Sequence, residues 1–116
     1  MDDLLFARRG GALCASIRAE LDQHNSARLR ERIDGEIMRS LPSRLILDLS
    51  GVDFMDSSGV GLLIGRYKRL SEIGGRLLVC GLSPSLRVLF DMAGLGKIIT
   101  AYDSLEQAVS NLAEGA

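Results

Sequence analysis

Apolar residues along the chain fall into short runs separated by polar and glycine-rich turns, and five of these runs have the length and composition of strands. The first two flank Gly10-Gly11, which suits a tight turn with positive φ, so we expect them to pair as an N-terminal hairpin. The fourth is continuously apolar, as in a strand covered on both faces. In chain order the predicted strands span residues 4–9, 12–20, 44–50, 76–80 and 97–100.

Between these runs, apolar residues recur every three or four positions, which predicts four amphipathic helices. The first follows Asp22 with Asn25 or Ser26 as its cap and ends at Pro42, and the second begins near Ser57. The residues predicted to face inward from these two helices are Leu29, Ile33, Ile37 and Leu41, then Val60, Leu63, Ile64, Tyr67 and Leu70.

Capping residues mark the starts of the last two helices. Ser83 is a suitable cap, Pro84 is a preferred first helical residue, and Gly94 supplies the stop of the third helix. The fourth helix is predicted to start at Asp103 or Ser104. In the second helix three glycines are expected to allow close backbone approach: Gly59, Gly61 and Gly65.

A hairpin followed by alternating helices and strands predicts an α/β fold with a mixed sheet of about five strands and four helices. The length of 116 residues suits one domain spanning 1–116. The acidic loop before Ser57 then lies at the carboxyl end of the third strand, where open α/β folds commonly place their sites.

The composition and net charge of the chain argue against nucleic acids and membranes as direct partners. Apolar content of 47%, 25% charged residues and a net charge of −1 leave no basic footprint for nucleic acid or for an anionic membrane. No apolar run approaches the ~18 residues of a membrane span, and the chain starts with acids rather than with the positive charge of a secretory signal. These features predict a cytoplasmic protein that contacts neither DNA nor membranes directly.

The two cysteines, Cys14 and Cys80, are far apart and both lie in apolar strand-like runs. That placement favours buried free thiols over a disulfide, and their spacing matches no metal-ligand pattern. The sequence therefore predicts neither a metal site nor a cofactor.

The segment 45–70 concentrates the chemistry of the chain. A buried strand leads through the acidic loop 53–56 onto Ser57 and Ser58 in the first turn of a helix. Helix starts carry unpartnered N–H groups and a positive partial charge, so the fold would tolerate a phosphate there. This predicts a switch site, although spacing alone fits a plain helix cap equally well and does not choose between the two hydroxyls.

The run Phe54-Met55-Asp56-Ser57-Ser58-Gly59-Val60-Gly61, followed by Gly65-Arg66-Tyr67-Lys68, resembles the signature of the anti-sigma factor antagonists, or STAS domains. The loop 20–24 and the second half of the chain are similar as well. The resemblance implies a non-enzymatic regulator, of the sporulation type, that is phosphorylated on Ser57 by an anti-sigma factor serine kinase. That partner would bind the ATP or ADP.

In such families the unphosphorylated form binds the kinase and releases the sigma factor, and a separate serine phosphatase removes the phosphate. On this basis we expect a partner surface formed by the Ser57 turn, the neighbouring loop 22–25 and an outer helix face at Leu62 and Arg66. The candidate partner-binding residues are Asp22, His24, Asn25, Asp56, Ser57, Ser58, Gly59, Gly61, Leu62 and Arg66.

Other functions fit parts of the pattern. The same fold could serve as a docking subunit of a transporter or a signalling scaffold. The acids Asp48, Asp53 and Asp56 could suggest a magnesium or phosphoacceptor pocket, but turn and capping roles account for them better. A hydrolase triad of Ser57, His24 and Asp22 lacks the usual nucleophile elbow, and the glycine spacing departs from the dinucleotide fingerprint.

Overall fold

The computed structural model of the protein describes residues 3–112. They form five strands, four α-helices and one 3₁₀ turn at Leu95–Lys97. The strands are β1 (Leu4–Arg9), β2 (Ala12–Ile17), β3 (Arg44–Asp48), β4 (Arg76–Cys80) and β5 (Thr100–Tyr102). The helices are α1 (Gln23–Ser40), α2 (Ser57–Glu72), α3 (Pro84–Met92) and α4 (Leu105–Ser110).

The strands form one mixed sheet in the order β1-β2-β3-β4-β5. The β1–β2 hairpin is antiparallel, and β2, β3, β4 and β5 run parallel to one another. This confirms the predicted α/β class, with its N-terminal hairpin and four helices. Since β3 is the central strand, the loop that follows it lies at the middle of the carboxyl edge of the sheet.

Side chains of the central strand alternate between the two faces of the sheet, with the period of two that strands impose. Leu45 and Leu47 pack in the larger core with residues of α1, α2 and α3, and Ile46 packs on the other face with α4. Cys14 and Cys80 are buried free thiols, as predicted. Burial raises the pKa of Cys80 to about 12, with nearby Asp48 adding to the effect.

Helix α1 differs from its prediction at both ends. Its cap is Asp22, whose carboxylate accepts from the Asn25 N–H, so the prediction of Asn25 or Ser26 as the cap is wrong. The helix therefore starts one turn earlier. Leu41 does not join the buried stripe: it is 60% exposed with φ 45° at the helix end, because Pro42 forces the chain out of the helix there.

The predicted last strand is displaced. Gly94, with φ 74°, ends α3 as expected, but residues 95–97 form a 3₁₀ turn, and the strand begins only at Thr100. The N–H groups of Ile98 and Ile99 both donate to the Leu95 carbonyl, which holds the turn in place of strand pairing. Strand β2 is also shorter than predicted and ends at Ile17.

No helix within residues 3–112 combines the length and apolar character needed to cross a membrane.

Candidate functional site

Two loops at the carboxyl edge of the sheet are joined by backbone hydrogen bonds. The Leu21 N–H donates to the Phe54 carbonyl at 2.9 Å, and the Asp56 N–H donates to the Leu21 carbonyl at 3.2 Å, so that Leu21 and Met55 form a parallel bridge. The chain before α1 and the chain before α2 are thereby held side by side. The starts of these two helices, and hence their positively polarised ends, lie at one place on the surface.

Gly59 makes this close approach possible. A Cβ at this position would lie 2.5 Å from the Leu21 carbonyl oxygen and 2.5 Å from Met55 Cγ, which no side chain tolerates. The other two glycines of α2 behave differently, because a Cβ at Gly61 or Gly65 would meet nothing within 4 Å. The prediction of close backbone approach is therefore confirmed for Gly59 and wrong for the other two.

Asp56 caps α2 and also contacts α1. Its Oδ1 accepts from the Ser58 N–H at 2.8 Å, and its Oδ2 accepts from the Gln23 N–H at 3.3 Å. One carboxylate thus satisfies amide groups at the starts of both helices. The capping role predicted for Asp56 is therefore confirmed, and the alternative interpretation of the serine pair as a plain helix cap is wrong.

The loop before α1 is fixed by a chain of polar contacts. Asp22 caps the helix through the Asn25 N–H at 2.9 Å, and the Asn25 side chain donates to the Glu20 carbonyl at 3.0 Å. Arg28 in turn donates to Asn25 Oδ1 at 2.9 Å and pairs with Asp3 at 2.7 Å. The hydrogen bond from Arg28 lowers the pKa of Asp3. Asn25 therefore supports the loop geometry rather than capping the helix.

The two serines have different surroundings. Ser57 is exposed at the first position of α2, whereas Ser58 is half-buried. Ser58 lies on a groove between α1 and α2, beside Ser26, whose buried Oγ has no hydrogen-bond partner among the described residues. The remaining residues that line this groove are Gln23, Ala27, Arg30, Gly61 and Leu62.

Leu62 and Arg66 do not form an outer face, so that part of the expected surface is wrong. They are only 4% and 5% exposed, because both point into the contact between α2 and α1. Arg66 Nε lies 2.8 Å from Asp34 Oδ1 on α1, although the N–H angle is poor for a hydrogen bond. Burial lowers the pKa of Arg66, and the Asp34 carboxylate opposes that shift. The ion pair links the two helices.

A shallow depression beside Ser57 is lined by Asp22, Gln23, His24, Phe54 and Asp56. Of these, sequence reasoning missed Gln23 and Phe54. Gln23 gives no signal in the sequence because it contributes a backbone N–H, whereas Phe54 was recognisable as an aromatic residue in an acidic loop.

Two chemical alternatives gain no support from the geometry. No hydrogen bond joins His24 to Ser57 or Asp22 within the described part of the chain, and His24 is exposed. Among residues 3–112, no group of three or more His, Cys, Asp or Glu side chains is placed to hold a metal ion. The site does offer the hydroxyl of Ser57, which is exposed on an acidic surface and does not cap the helix.

Comparisons with known proteins agree with this geometry. The chain is 39% identical over 102 residues to an anti-sigma F factor antagonist of Paenibacillus polymyxa, covering 88% of this chain and 87% of that protein. It resembles the solved structure of the anti-sigma factor antagonist SpoIIAA in its unphosphorylated form, with a TM-score of 0.79, 28% identity and 97% of both chains covered. For the phosphorylated form of SpoIIAA, the Bacillus cell fate determinant, the TM-score is 0.72 at 28% identity, with 94% of this chain and 98% of that chain covered. Because the family model for the STAS domain matches residues 4–108 and relatives of this kind match over most of their length, the chain belongs to the STAS domain family of anti-sigma factor antagonists.

Proposed function

We propose that this protein is an anti-sigma factor antagonist controlled by phosphorylation of Ser57. The unphosphorylated form binds an anti-sigma factor serine kinase, which releases the sigma factor, and phosphorylation ends that binding. A separate serine phosphatase restores the active form. The protein itself is a substrate rather than an enzyme, the nucleotide is bound by the kinase, and the cycle takes place in the cytoplasm. The names of its relatives, and the two forms in which SpoIIAA has been solved, support this proposal.

The free hydroxyl of Ser57 is the observation that carries the proposal. Asp56 provides the cap of α2, so the Ser57 hydroxyl is not engaged at the helix start, and the residue is exposed. Ser58 is half-buried against the groove, which makes it the poorer acceptor for a kinase that must reach the oxygen. Exposure and local geometry therefore both favour Ser57.

A phosphate on Ser57 would act through charge and bulk rather than refolding. It would add about −1.5 to −2 charge directly beside the Asp56 carboxylate and close to Asp53. Two like unit charges about 5 Å apart repel by roughly 3 kcal/mol at an effective dielectric of about 20. A hundredfold loss of affinity needs about 2.7 kcal/mol, so one such repulsion between the Ser57 phosphate and the phosphates of the nucleotide that the kinase binds, together with the added bulk, would be enough to end the contact.

The proposed contact surface follows the exposure of the candidate residues. Asp22, His24, Asn25, Asp56, Ser57, Ser58 and Gly61 are exposed or half-buried around the two helix starts. Gly59, Leu62 and Arg66 are buried and support that surface from below. The partner is thus proposed to contact the starts of α1 and α2 together.

Phosphorylation of the pure protein tests the proposal directly. The protein is incubated with ATP and each candidate anti-sigma kinase of its own genome, and the phosphate is located by mass spectrometry. We expect modification of the wild type and of Ser58→Ala, and none of Ser57→Ala. Modification on Ser58 instead would contradict the assignment of the acceptor.

Binding supplies the second test. Ser57→Asp should bind the kinase about a hundredfold more weakly than Ser57→Ala, because it carries a permanent charge at the contact. Equal affinities would reject the charge mechanism. Stable association with a membrane complex, without any phosphorylation, would instead support the docking subunit that the sequence left as an alternative.

A further inference from the structure

Phe54 is an aromatic side chain left largely in water beside the site. Its exposure is 48%, whereas Phe90 is fully buried and Phe6 packs against the core. Aromatic residues are enriched in the centres of protein interfaces, where a large rigid ring fills a pocket on the partner. The position of Phe54, three residues before Ser57, places its ring next to the proposed phosphorylation site.

The backbone that carries this ring is fixed. The Phe54 carbonyl accepts from the Leu21 N–H at 2.9 Å, and the next residue, Met55, is buried and bridged to Leu21. Asp56, two residues after Phe54, caps α2. The loop therefore needs little ordering when a partner binds, and that saving raises the affinity gained from each contact.

The surroundings of the ring are acidic. Asp22 and Asp56 line the same depression as Phe54, and Asp53 precedes it in an exposed position. Glu20 is exposed on the joined loop. An apolar ring within a collar of carboxylates is complementary to an apolar pocket with a rim of lysine or arginine.

We propose that Phe54 is the apolar anchor of the kinase interface, inserted into an apolar pocket of the kinase whose basic rim faces the collar of Glu20, Asp22, Asp53 and Asp56. This inference rests on the proposed function and names the recognition chemistry of the same site. Ser57 carries the switch, and Phe54 supplies affinity for the kinase.

The experiment measures steady-state phosphorylation of the full chain by the kinase that modifies the wild type. Phe54→Ala should raise KM at least about tenfold and leave kcat within about twofold, since the anchor acts on binding and not on the transferred phosphate. Phe54→Leu, which keeps an apolar side chain, should recover most of the loss. Asp53→Lys should also raise KM, and raising the salt concentration should narrow its difference from the wild type.

Met92→Ala is the matched control, because Met92 is an even more exposed apolar residue, at 81%, on the separate helix α3. Its KM should equal that of the wild type. Thermal denaturation of every variant verifies that the fold is intact; if Phe54→Ala is unfolded, Phe54→Gln, which puts a polar side chain at the same exposed position, replaces it. An unchanged KM in the folded Phe54→Ala or Phe54→Gln variant would overturn the anchor alone. Absence of phosphorylation of the wild type by every kinase would overturn the proposed function and the anchor with it.

Discussion

Among residues 3–112, three helices have a serine at the cap or at the first helical position, and only at α2 is that serine not the cap. At α3 the Ser83 Oγ accepts from the Leu86 N–H at 3.3 Å, and at α4 the Ser104 Oγ accepts from the Gln107 N–H at 3.1 Å. At α2 the helix cap is Asp56, and Ser57 and Ser58 follow it as the first two helical residues. A serine at the cap position holds the helix start, whereas a serine one position later, such as Ser57, keeps its hydroxyl free of that role and is a candidate for modification.

The cap at α2 also reaches further than the other two. The Asp56 carboxylate contacts an amide of its own helix and the Gln23 amide of α1, so it links two elements. The hydroxyls of Ser83 and Ser104 each hold only their own helix. A carboxylate has two oxygens and more acceptor sites than a hydroxyl, which is why it serves both helix starts.

The largest effect is expected from Gly59→Ala. The added methyl would overlap the Leu21 carbonyl and Met55, so the two loops must separate. Overpacking of this kind lowers the free energy of unfolding by about 1–3 kcal/mol, and chemical denaturation measures it.

Gly61→Ala is the matched control in the same helix. Because a Cβ at Gly61 meets nothing within 4 Å, alanine should raise the free energy of unfolding by about 0.5–1 kcal/mol through its better helix propensity. The two variants should therefore shift the denaturation midpoint in opposite directions. A shift in the same direction would show that the close contact at Gly59 is not what separates these glycines.

The next largest effect is expected from removing the cap of α2. Asp56→Ala loses two hydrogen bonds, to the Ser58 and Gln23 amides, and should lower the free energy of unfolding by about 1–2 kcal/mol. Ser104→Ala loses one and should lower it by about 0.5–1 kcal/mol. Amide hydrogen exchange at Gln23 should accelerate only in the Asp56 variant. Unchanged exchange there would remove the claim that this carboxylate joins the two helices.

The fold was readable from the sequence wherever local chemistry decides it. Strong local signals mark three elements: the hairpin turn at Gly10-Gly11, the start of α3 at Ser83-Pro84, and the continuously apolar strand β4, which ends at Cys80. The last strand was misplaced because the residues after Gly94 have no such signal: the apolar Leu95, which is buried in the 3₁₀ turn, and the buried Ile99, which follows that turn, would fit a strand equally well. Tertiary packing decided between them.

The site was readable in part. The acidic loop and the serines were found, but the burial of Arg66 was not, because its partner Asp34 lies on another helix and a charged residue is expected at the surface. For the cap of α2 the sequence offered both the serine pair and Asp56, and the structure confirms the capping role of Asp56. Asp56, Ser57 and Ser58 are all good caps, and only the contact of Asp56 with Gln23 on the neighbouring loop separates them.

The smallest effect is expected at Ser57, the proposed phosphorylation site. Ser57 occupies the first helical position without serving as the cap, so Ser57→Ala should change the free energy of unfolding by no more than about 0.5 kcal/mol. The same substitution at Ser83 should lower it measurably, because there the hydroxyl holds the Leu86 amide. Paired denaturation curves in one buffer make this comparison. If Ser57→Ala were as destabilising as Ser83→Ala, the Ser57 hydroxyl would have a structural duty, and phosphorylating it would disturb the helix start instead of changing only the charge of an intact surface.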